Sequence, residues 1–202
     1  MKKFTLAAAA AVAMGSTPAM AQDSATTVFI GPIAGYDNVK LSDGTNSESD
    51  DGIMYGIVAG ADYQVSPGFF MGVEAEYSDS EVGETVTDID VVGDSASIEA
   101  GRTIYTGARI GSSFGGSSKV YLKGGYVNLT VKGSYDDTVD TFTGSEDLGG
   151  WLAGIGMETR FNPVILRLEY RYSRFNNIEV AGFETGLDGS RNQVVAGALF
   201  SF

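Results

Sequence analysis

The nine residues Val164–Tyr172 read VILRLEYRY, and their alternation of apolar and polar side chains decides the fold. A period of two is typical of a β-strand, because successive side chains point to opposite faces. One face carries Val164, Leu166, Leu168, Tyr170 and Tyr172, and the other carries Ile165, Arg167, Glu169 and Arg171. A soluble barrel with a dry core would bury the charged row only at a large desolvation cost. We therefore expect the apolar face to contact lipid and the charged face to line an interior.

Seven further segments have strand-like patterns, and connectors rich in Gly, Ser, Asp and Asn separate them. The eight predicted strands cover residues 27–37, 53–63, 69–78, 102–112, 119–131, 150–161, 163–174 and 192–202. In the fifth strand, Val120, Leu122 and Tyr126 share one face, whereas Leu129 and Val131 fall on the other. This mismatch predicts a bulge or an earlier strand end.

The connectors alternate strictly between long and short, as in an up-and-down meander. The long connectors, at residues 38–52, 79–101, 132–149 and 174–191, hold 19 of the 26 acidic residues. All short turns then lie at one end of the barrel, where outer-membrane barrels have their periplasmic turns, and the long loops are extracellular. The sequence therefore predicts an all-β, eight-stranded antiparallel up-and-down transmembrane β-barrel.

The first 21 residues have the features of a secretory signal peptide. Lys2 and Lys3 precede an apolar run over residues 4–14, and Ala19-Met20-Ala21 provides the small residues of a cleavage site. The run is too short to span a bilayer as a helix. We expect cleavage after Ala21, with residues 22–202 forming one barrel domain in the outer membrane of a Gram-negative bacterium.

Composition argues against several function classes. Loss of Lys2 and Lys3 leaves 11 basic and 26 acidic residues, a net charge near −15, which argues against a nucleic-acid partner. Without His or Cys, and with no Ser in a recognisable activating motif, we expect no enzymatic activity. The acidic stretch 43–51, DGTNSESDD, does not have EF-hand spacing. We expect a solvated loop, with no metal site and no cofactor, and leave open weak divalent-cation bridging to surface glycolipids.

Assigning faces strand by strand places five acids and five bases inside the barrel. This interior network consists of Asp62, Glu74, Glu76, Arg109, Lys123, Glu158, Arg160, Arg167, Glu169 and Arg171. An eight-stranded barrel is only just wide enough for side chains, so the charges should interlock as a polar core. In the functional alternative some pairs, Arg167 with Glu74 first among them, gate a narrow path for small ions.

Aromatic residues mark the predicted membrane boundaries. Trp151 and Phe161 lie at the two ends of the sixth strand, as expected for interfacial girdles. The last strand ends with Phe200 and Phe202 on its apolar face, and this ending resembles the signal that barrel assembly machinery reads. We expect that machinery and outer-membrane lipid as partners, together with a surface ligand for the loops if the protein is a binding module.

Two stretches resemble a known family: residues 60–77, GADYQVSPGFFMGVEAEY, and residues 154–177, GIGMETRFNPVILRLEYRYSRFNN. Each contains two strands joined by a short Pro turn, with Glu or Arg inside. They resemble the small outer-membrane β-barrel family, in particular the transmembrane domain of outer membrane protein A without its periplasmic domain. By position, Glu74, Arg109, Glu158 and Arg167 resemble the family's interior carboxylates and bases, although at Arg109 the family often has Lys.

Three functions stay open at this point. The first is a porin-like or structural barrel whose charges plug or gate a narrow pore, which predicts small or no conductance. The second is a surface adhesin or binding module acting through the extracellular loops. The third is a soluble barrel that carries a lipophile, which requires the apolar strand faces to point inward.

Overall fold

The computed structural model describes residues 25–42, 47–87, 94–136, 141–175, 179–180, 183–184 and 188–202. Its elements are the strands β1 Thr26–Ser42, β2 Ser47–Ser66, β3 Phe69–Ser80, β4 Gly83–Thr87, β5 Ser95–Phe114, β6 Ser118–Asp136, β7 Thr141–Phe161, β8 Val164–Phe175, β9 Glu179–Val180, β10 Phe183–Glu184 and β11 Asp188–Ser201. Among these residues no helix is long and apolar enough to cross a membrane. The predicted signal peptide, residues 1–21, and part of the acidic stretch, residues 43–46, lie outside the described residues.

Eight strands close into a ring. From β1 the antiparallel pairs run through β2, β3, β5, β6, β7, β8 and β11, and β11 pairs with β1 again. Strand β4 pairs with the outer part of β5, while β9 and β10 form a separate two-stranded sheet. The predicted eight-stranded antiparallel barrel is therefore confirmed.

Short turns join the strands at one end of the ring, which we term the short-turn end. The turn between β2 and β3 contains Pro67 and Gly68, and Gly68 has a φ of 82°. This is the arrangement of a type II turn, in which Pro presets the first central residue and Gly accepts the positive φ of the second. The start of β1 and the C-terminal end of β11 lie here too, since the backbone N–H of Phe202 donates to the carbonyl of Val28 at 2.9 Å.

At the opposite, long-loop end several strands extend beyond their predicted bounds. Strand β2 begins at Ser47 rather than at residue 53, β5 at Ser95 rather than 102, and β7 at Thr141 rather than 150. Much of the predicted loops 38–52, 79–101 and 132–149 is therefore paired strand. The outward faces of these extensions carry polar side chains, so they lack the outward apolar row of a membrane-spanning strand, although Ala96, Ile98 and Ala100 alternate with polar residues in β5.

The fifth predicted strand, residues 119–131, corresponds to β6, and the irregularity predicted for it is in the wrong place. Strand β6 pairs with β7 in unbroken register from Ser118 to Asp136. The register shift lies in the neighbouring β5, between Ala100 and Thr103. Leu129 is buried and points into the barrel, where it packs in an apolar layer. The interior is thus apolar at this level, whereas the prediction assumed a polar interior along the whole strand.

Burial separates the two faces of each barrel strand. In β8, Leu166, Leu168 and Tyr170 are each 50% exposed on the outside, while Arg167 and Glu169 are buried inside. Large apolar side chains cover the outward faces of the other barrel strands in a band below the polar extensions at the long-loop end. Such a continuous apolar exterior faces lipid in membrane barrels. The apolar rows point outward, which argues against the soluble lipophile carrier.

Candidate functional site

The lumen of the barrel has one apolar wall, formed by β1, β2, β8 and β11. Its buried cluster consists of Phe29, Ile33, Met54, Val58, Ile165, Val195 and Leu199. The ring centroid of Phe29 lies 4.4 Å from Cζ of Arg109 and 5.0 Å from Cζ of Arg167. Guanidinium groups over an aromatic face gain cation–π attraction, most of all where water is excluded. The apolar wall thus contacts the charged side chains that reach across the lumen.

Nine of the ten predicted interior residues lie together in the lumen. None is more than 6% exposed: Asp62, Glu74, Glu76, Arg109, Lys123, Glu158, Arg167, Glu169 and Arg171. We term these nine residues, together with Lys119, the luminal network. It contains five carboxylates and five bases, so its formal charges balance.

The structure does not bring Arg160 into this network. Arg160 is half-buried and lines a cavity of about 220 Å³ at the short-turn end, and it forms no ion pair with any described residue. Its side chain is on the same face of β7 as that of Glu158. However, Arg160 lies next to the last residue of the strand, where the barrel opens.

Arg109 connects the carboxylates at the end of the network nearer to the short turns, which we term its lower end. Its Nε and Nη2 donate to the two oxygens of Asp62, each at 2.7 Å, in a bidentate pair. Its Nη1 donates to Oε1 of Glu158, also at 2.7 Å. Lys119 adds a bond from Nζ to Oδ2 of Asp62 at 2.8 Å. Bidentate guanidinium–carboxylate bonds are among the strongest hydrogen bonds in proteins, so this end is rigid.

Glu74 is the central acceptor of the network. Its Oε2 accepts from Nη1 of Arg167 at 2.7 Å, and its Oε1 accepts from Nζ of Lys123 at 2.6 Å. Arg167 also donates from Nε to Oε1 of Glu158 at 2.9 Å. Glu74 is on β3, Lys123 on β6 and Arg167 on β8, so these bonds link distant strands across the lumen.

Glu169 and Arg171 form the upper part of the network. Arg171 donates from Nε to Oε2 of Glu169 at 2.6 Å and from Nη1 to Oε1 of Glu76 at 2.8 Å. The hydroxyl of Tyr121 donates to Oε1 of Glu169 at 2.5 Å. Glu169 also lies 3.1 Å from Nζ of Lys123. Glu169 is therefore held by more than one donor, as burial of a charge requires, whereas among the described residues Glu76 accepts a hydrogen bond from Arg171 alone.

Sequence reasoning missed a second buried ion pair, between Asp37 and Arg191 near the long-loop end. Arg191 donates to both carboxylate oxygens of Asp37, and from Nη1 to Oγ1 of Thr103 at 2.8 Å. Ser80 donates to Oδ2 of Asp37 at 2.6 Å. We term these four residues the outer clasp. Arg191 falls in the predicted loop 174–191, which is why it was not assigned to a face.

The remaining luminal residues that were not predicted belong to strands already assigned. Lys119 and Tyr121 share the inward face of β6 with Lys123, so the pattern that found Lys123 also indicates them.

An apolar layer closes the lumen beside the outer clasp. It consists of Val82, Ala100, Tyr105, Val127, Leu129, Leu152 and Phe175, with Val39, Val131 and Leu148 packed against it. Between this layer and the network, three buried oxygens lack a hydrogen-bond partner within the described residues: Oε2 of Glu76, Oγ of Ser78 and the hydroxyl of Tyr105. The lumen is thus filled at two levels, charged towards the short-turn end and apolar towards the long-loop end, with these unpartnered oxygens between them.

Glycines inside the barrel make room for these large side chains, and Gly156 is the clearest case. A Cβ on Gly156 would collide with the ring of Tyr121 and lie 2.9 Å from Cγ of Glu169. We expect Gly156→Val to lower the free energy of unfolding by about 1–3 kcal/mol through overpacking. The matched control is Gly144→Val in the same strand, where nothing lies within 4 Å of an added Cβ. Denaturant unfolding of both refolded variants measures the difference, and equal stabilities would contradict the packing described here.

Comparison with solved structures yields barrels of the outer membrane. The crystal structure of Ail, the attachment invasion locus protein of Yersinia pestis, in complex with the heparin analogue sucrose octasulfate, has 11% identity and a TM-score of 0.50 over 86% of this chain and 99% of that chain. A major outer membrane protein from Thermus thermophilus has 12% identity and a TM-score of 0.48 over 85% and 99%. The outer membrane protease OmpT from Escherichia coli has 10% identity and a TM-score of 0.46 over 88% and 96%. These likenesses concern the fold alone.

Sequence comparison identifies the family. No curated protein sequence matches the chain significantly. The family model for the outer membrane protein beta-barrel domain matches residues 7–202, which is nearly the whole chain. The predicted resemblance to small outer-membrane barrels is therefore confirmed. The chain belongs to the outer membrane protein beta-barrel domain family, whose members sit in the lipid bilayer of the bacterial outer membrane.

Proposed function

We propose that the protein is a non-catalytic outer-membrane barrel whose lumen is plugged, and which passes small ions only when pairs in the luminal network exchange. The observation that carries this proposal is the complete burial of nine charged side chains that bridge the barrel from wall to wall. A lumen filled in this way leaves no channel for sugars or other solutes.

Arg167 and Glu74 are the proposed gate. Arg167 donates to both Glu74 and Glu158, so its displacement would weaken the link between the upper and lower parts of the network and leave Arg109, 3.6 Å from Glu74, as the remaining cation between them. The unpartnered oxygens of Glu76, Ser78 and Tyr105 support this proposal, because buried polar atoms without protein partners generally bind water. Ions that pass the gate would also have to cross the apolar layer, so we expect any openings to be rare and small.

Single-channel conductance of the refolded protein in a planar bilayer tests the gate. We expect brief, small openings in the wild type and larger or more frequent ones in Arg167→Ala and in the isosteric Glu74→Gln. Arg102→Ala, which removes an outward-facing guanidinium, is the matched control and should behave like the wild type. Folding of each variant is checked by its heat-modifiable electrophoretic mobility.

Two outcomes would contradict the proposal in different ways. A wide, stable channel in the wild type would show that the network does not plug the lumen. Silent bilayers from folded wild type, Arg167→Ala and Glu74→Gln would exclude the gate and leave a purely structural plug.

The processing and assembly of the chain complete this proposal. We propose that residues 1–21 are removed on export and that the C-terminal strand is read by the barrel assembly machinery. Phe200 and Phe202 support recognition of the C-terminal strand, since they are 50% and 80% exposed on the outward face.

A second candidate function is binding through the extracellular surface. The observation that favours it is the ordered extension of β5, β6 and β7 beyond the apolar band, which presents paired strands rather than free loops. Deleting residues 132–149 together with their partners in β5 should then abolish adhesion of expressing cells while the barrel stays folded. Unchanged adhesion with a folded barrel would contradict this function.

A further inference from the structure

The charged side chains at the short-turn end of the barrel are bases. The turns at residues 64–69, 113–118 and 161–164 contain no Asp, Glu, Lys or Arg. Among the described residues, the charged side chains nearest to these turns are those of Lys119 and Arg160. The acidic long connectors are separated from them by the length of the barrel, well beyond the Debye length of about 8 Å. The acidic loops therefore do not repel an anion that approaches the short-turn end.

Lys119 and Arg160 both line the cavity of about 220 Å³ at this end of the lumen. Strand register brings them together, since Lys119 of β6 pairs with Glu158 of β7, and Arg160 is the next residue on the same face of β7. The backbone N–H of Arg160 donates to the carbonyl of Ser117 at 2.8 Å, beside the turn between β5 and β6. Hydroxyl groups also line the cavity, from Thr27, Ser113, Ser117 and Ser118. The cavity thus combines two bases with several neutral donors.

Arg160 has no counter-ion within the described part of the chain. Asp62 and Glu158, the carboxylates closest to the cavity, each pair with two bases of the luminal network. The charges of that network therefore balance without Arg160, which is half-buried and forms no ion pair with any described residue. A partly buried cation loses hydration, and an ionic partner compensates that loss. An anion from solution would supply this partner.

Lys119 can contribute to binding of the same anion. Its Nζ donates to Oδ2 of Asp62 at 2.8 Å and lies 4.4 Å from the ring centroid of Phe70. An ammonium group has more than one N–H donor, so a further donor remains for a ligand. The side chain is 17% exposed and lines the cavity, so this donor can be reached from the short-turn end.

We propose that this cavity binds dissolved phosphate, either as the inorganic ion or as the phosphate group of a small phosphomonoester. Arg160 would hold phosphate oxygens in a bidentate pair, while Lys119 and the hydroxyls would donate to the remaining oxygens. The number of donors favours phosphate over a carboxylate, which has fewer oxygens.

The size and orientation of the cavity favour a small dissolved ion over larger ligands. Its volume of about 220 Å³ is below the roughly 300–1,000 Å³ of typical small-molecule sites. Arg160 is on the lumen face of β7, the face of Glu158, so it does not point towards lipid headgroups. In outer-membrane barrels the short turns face the periplasm, and the site would take phosphate from that compartment.

Titration of the refolded protein with inorganic phosphate in phosphate-free maltoside micelles tests this proposal. Nuclear magnetic resonance of the backbone amides of Ser117 and Lys119, in the cavity wall, follows binding. We expect saturable shifts with a Kd of about 1 mM in the wild type and about tenfold weaker binding in Arg160→Gln. Arg102→Gln is the matched control, because it removes an outward, 44% exposed guanidinium at the other end of the barrel. Its effect should stay within about twofold.

Several outcomes would overturn the proposal. Equal weakening in Arg160→Gln and Arg102→Gln, or the same saturable shifts with chloride at matched ionic strength, would leave only general attraction between charges. Tighter binding of acetate than of phosphate would assign the cavity to carboxylates. Shifts caused by phosphatidylglycerol in the micelles, but not by dissolved phosphate, would assign it to a lipid headgroup.

Two further variants complete the test. Asp23 precedes the first described residue by two positions. Phosphate binding by Asp23→Asn but not by the wild type would show that a carboxylate of the chain itself occupies the cavity, and would also overturn the proposal. Heat-modifiable mobility checks the folding of each variant. If Arg160→Gln does not fold, Arg160→Lys replaces it, and it should still bind phosphate more weakly than the wild type because lysine lacks the bidentate fork.

Discussion

Arg109→Ala is expected to lower the free energy of unfolding by about 3–5 kcal/mol, because it leaves buried carboxylates without their partner. Arg109 is 1% exposed, and it holds Asp62 in a bidentate pair and Glu158 in a further bond. In its absence, Lys119 alone would balance Asp62. The measurement is urea unfolding of the barrel refolded in phospholipid vesicles, followed through the fluorescence of the single tryptophan, Trp151.

Arg160→Ala is the matched control for this prediction. It removes the same side chain from the same lumen-facing surface, but at a half-buried position without an ion pair to the described residues. We expect a change within about 0.5 kcal/mol, as for ordinary surface substitutions. Equal losses in the two variants would show that the buried network is not what stabilises the barrel.

Leu168→Arg should lower the free energy of unfolding in a bilayer by about 2–4 kcal/mol. Leu168 is 50% exposed on the outside of β8, near the middle of the apolar band. An arginine there would have to lie in hydrocarbon, where the guanidinium loses its hydration. The same urea titration in vesicles measures the loss.

The control for Leu168→Arg is an arginine placed near the membrane interface, because the cost of an arginine falls from the middle of the bilayer to its edge. Asn128 faces outward on β6, two residues beyond Tyr126, at the edge of the apolar band. Asn128→Arg should cost no more than about 1 kcal/mol, because near the interface an arginine reaches water. If Leu168→Arg were as mild, the outward face of β8 would not contact lipid.

The sequence indicated the membrane-spanning parts of the fold because these parts have two chemically different faces. In β8 the contrast between Leu168 and its neighbours Arg167 and Glu169 shows both that the segment is a strand and which of its faces contacts lipid. At Ser95–Gly101 and Thr141–Gly149 the strands leave the apolar band, and their outward faces become polar. Without an outward apolar row, these stretches have the Gly-, Ser- and Asp-rich composition of connectors, which is why they were predicted as loops even though Ala96, Ile98 and Ala100 alternate with polar residues.

The same physical reason explains what was missed in the lumen. Arg191 lies within the polar stretch that precedes the apolar part of β11, so the outer clasp could not be inferred from local pattern. Phe29 and Val195 line an interior wall that is apolar, and their strands are apolar on both faces. Alternation along one strand cannot assign such residues, because the assignment depends on which strands are neighbours in the ring. For Arg160 the sequence predicted the correct face of the strand. It did not predict that the residue lies at the open end of the lumen, outside the luminal network.

The central claim is that the apolar rows contact lipid while the other face fills a closed lumen. Because the chain contains no cysteine, single cysteines can carry a nitroxide label along β11, away from the network. The measurement is electron paramagnetic resonance in proteoliposomes, comparing labels at Ala196 and Ala198, which are exposed, with labels at Val195 and Leu199, which are fully buried. We predict high accessibility to lipid-soluble oxygen at the two alanines and low accessibility at Val195 and Leu199. The reverse order, in folded protein, would place the apolar face inside and contradict this account.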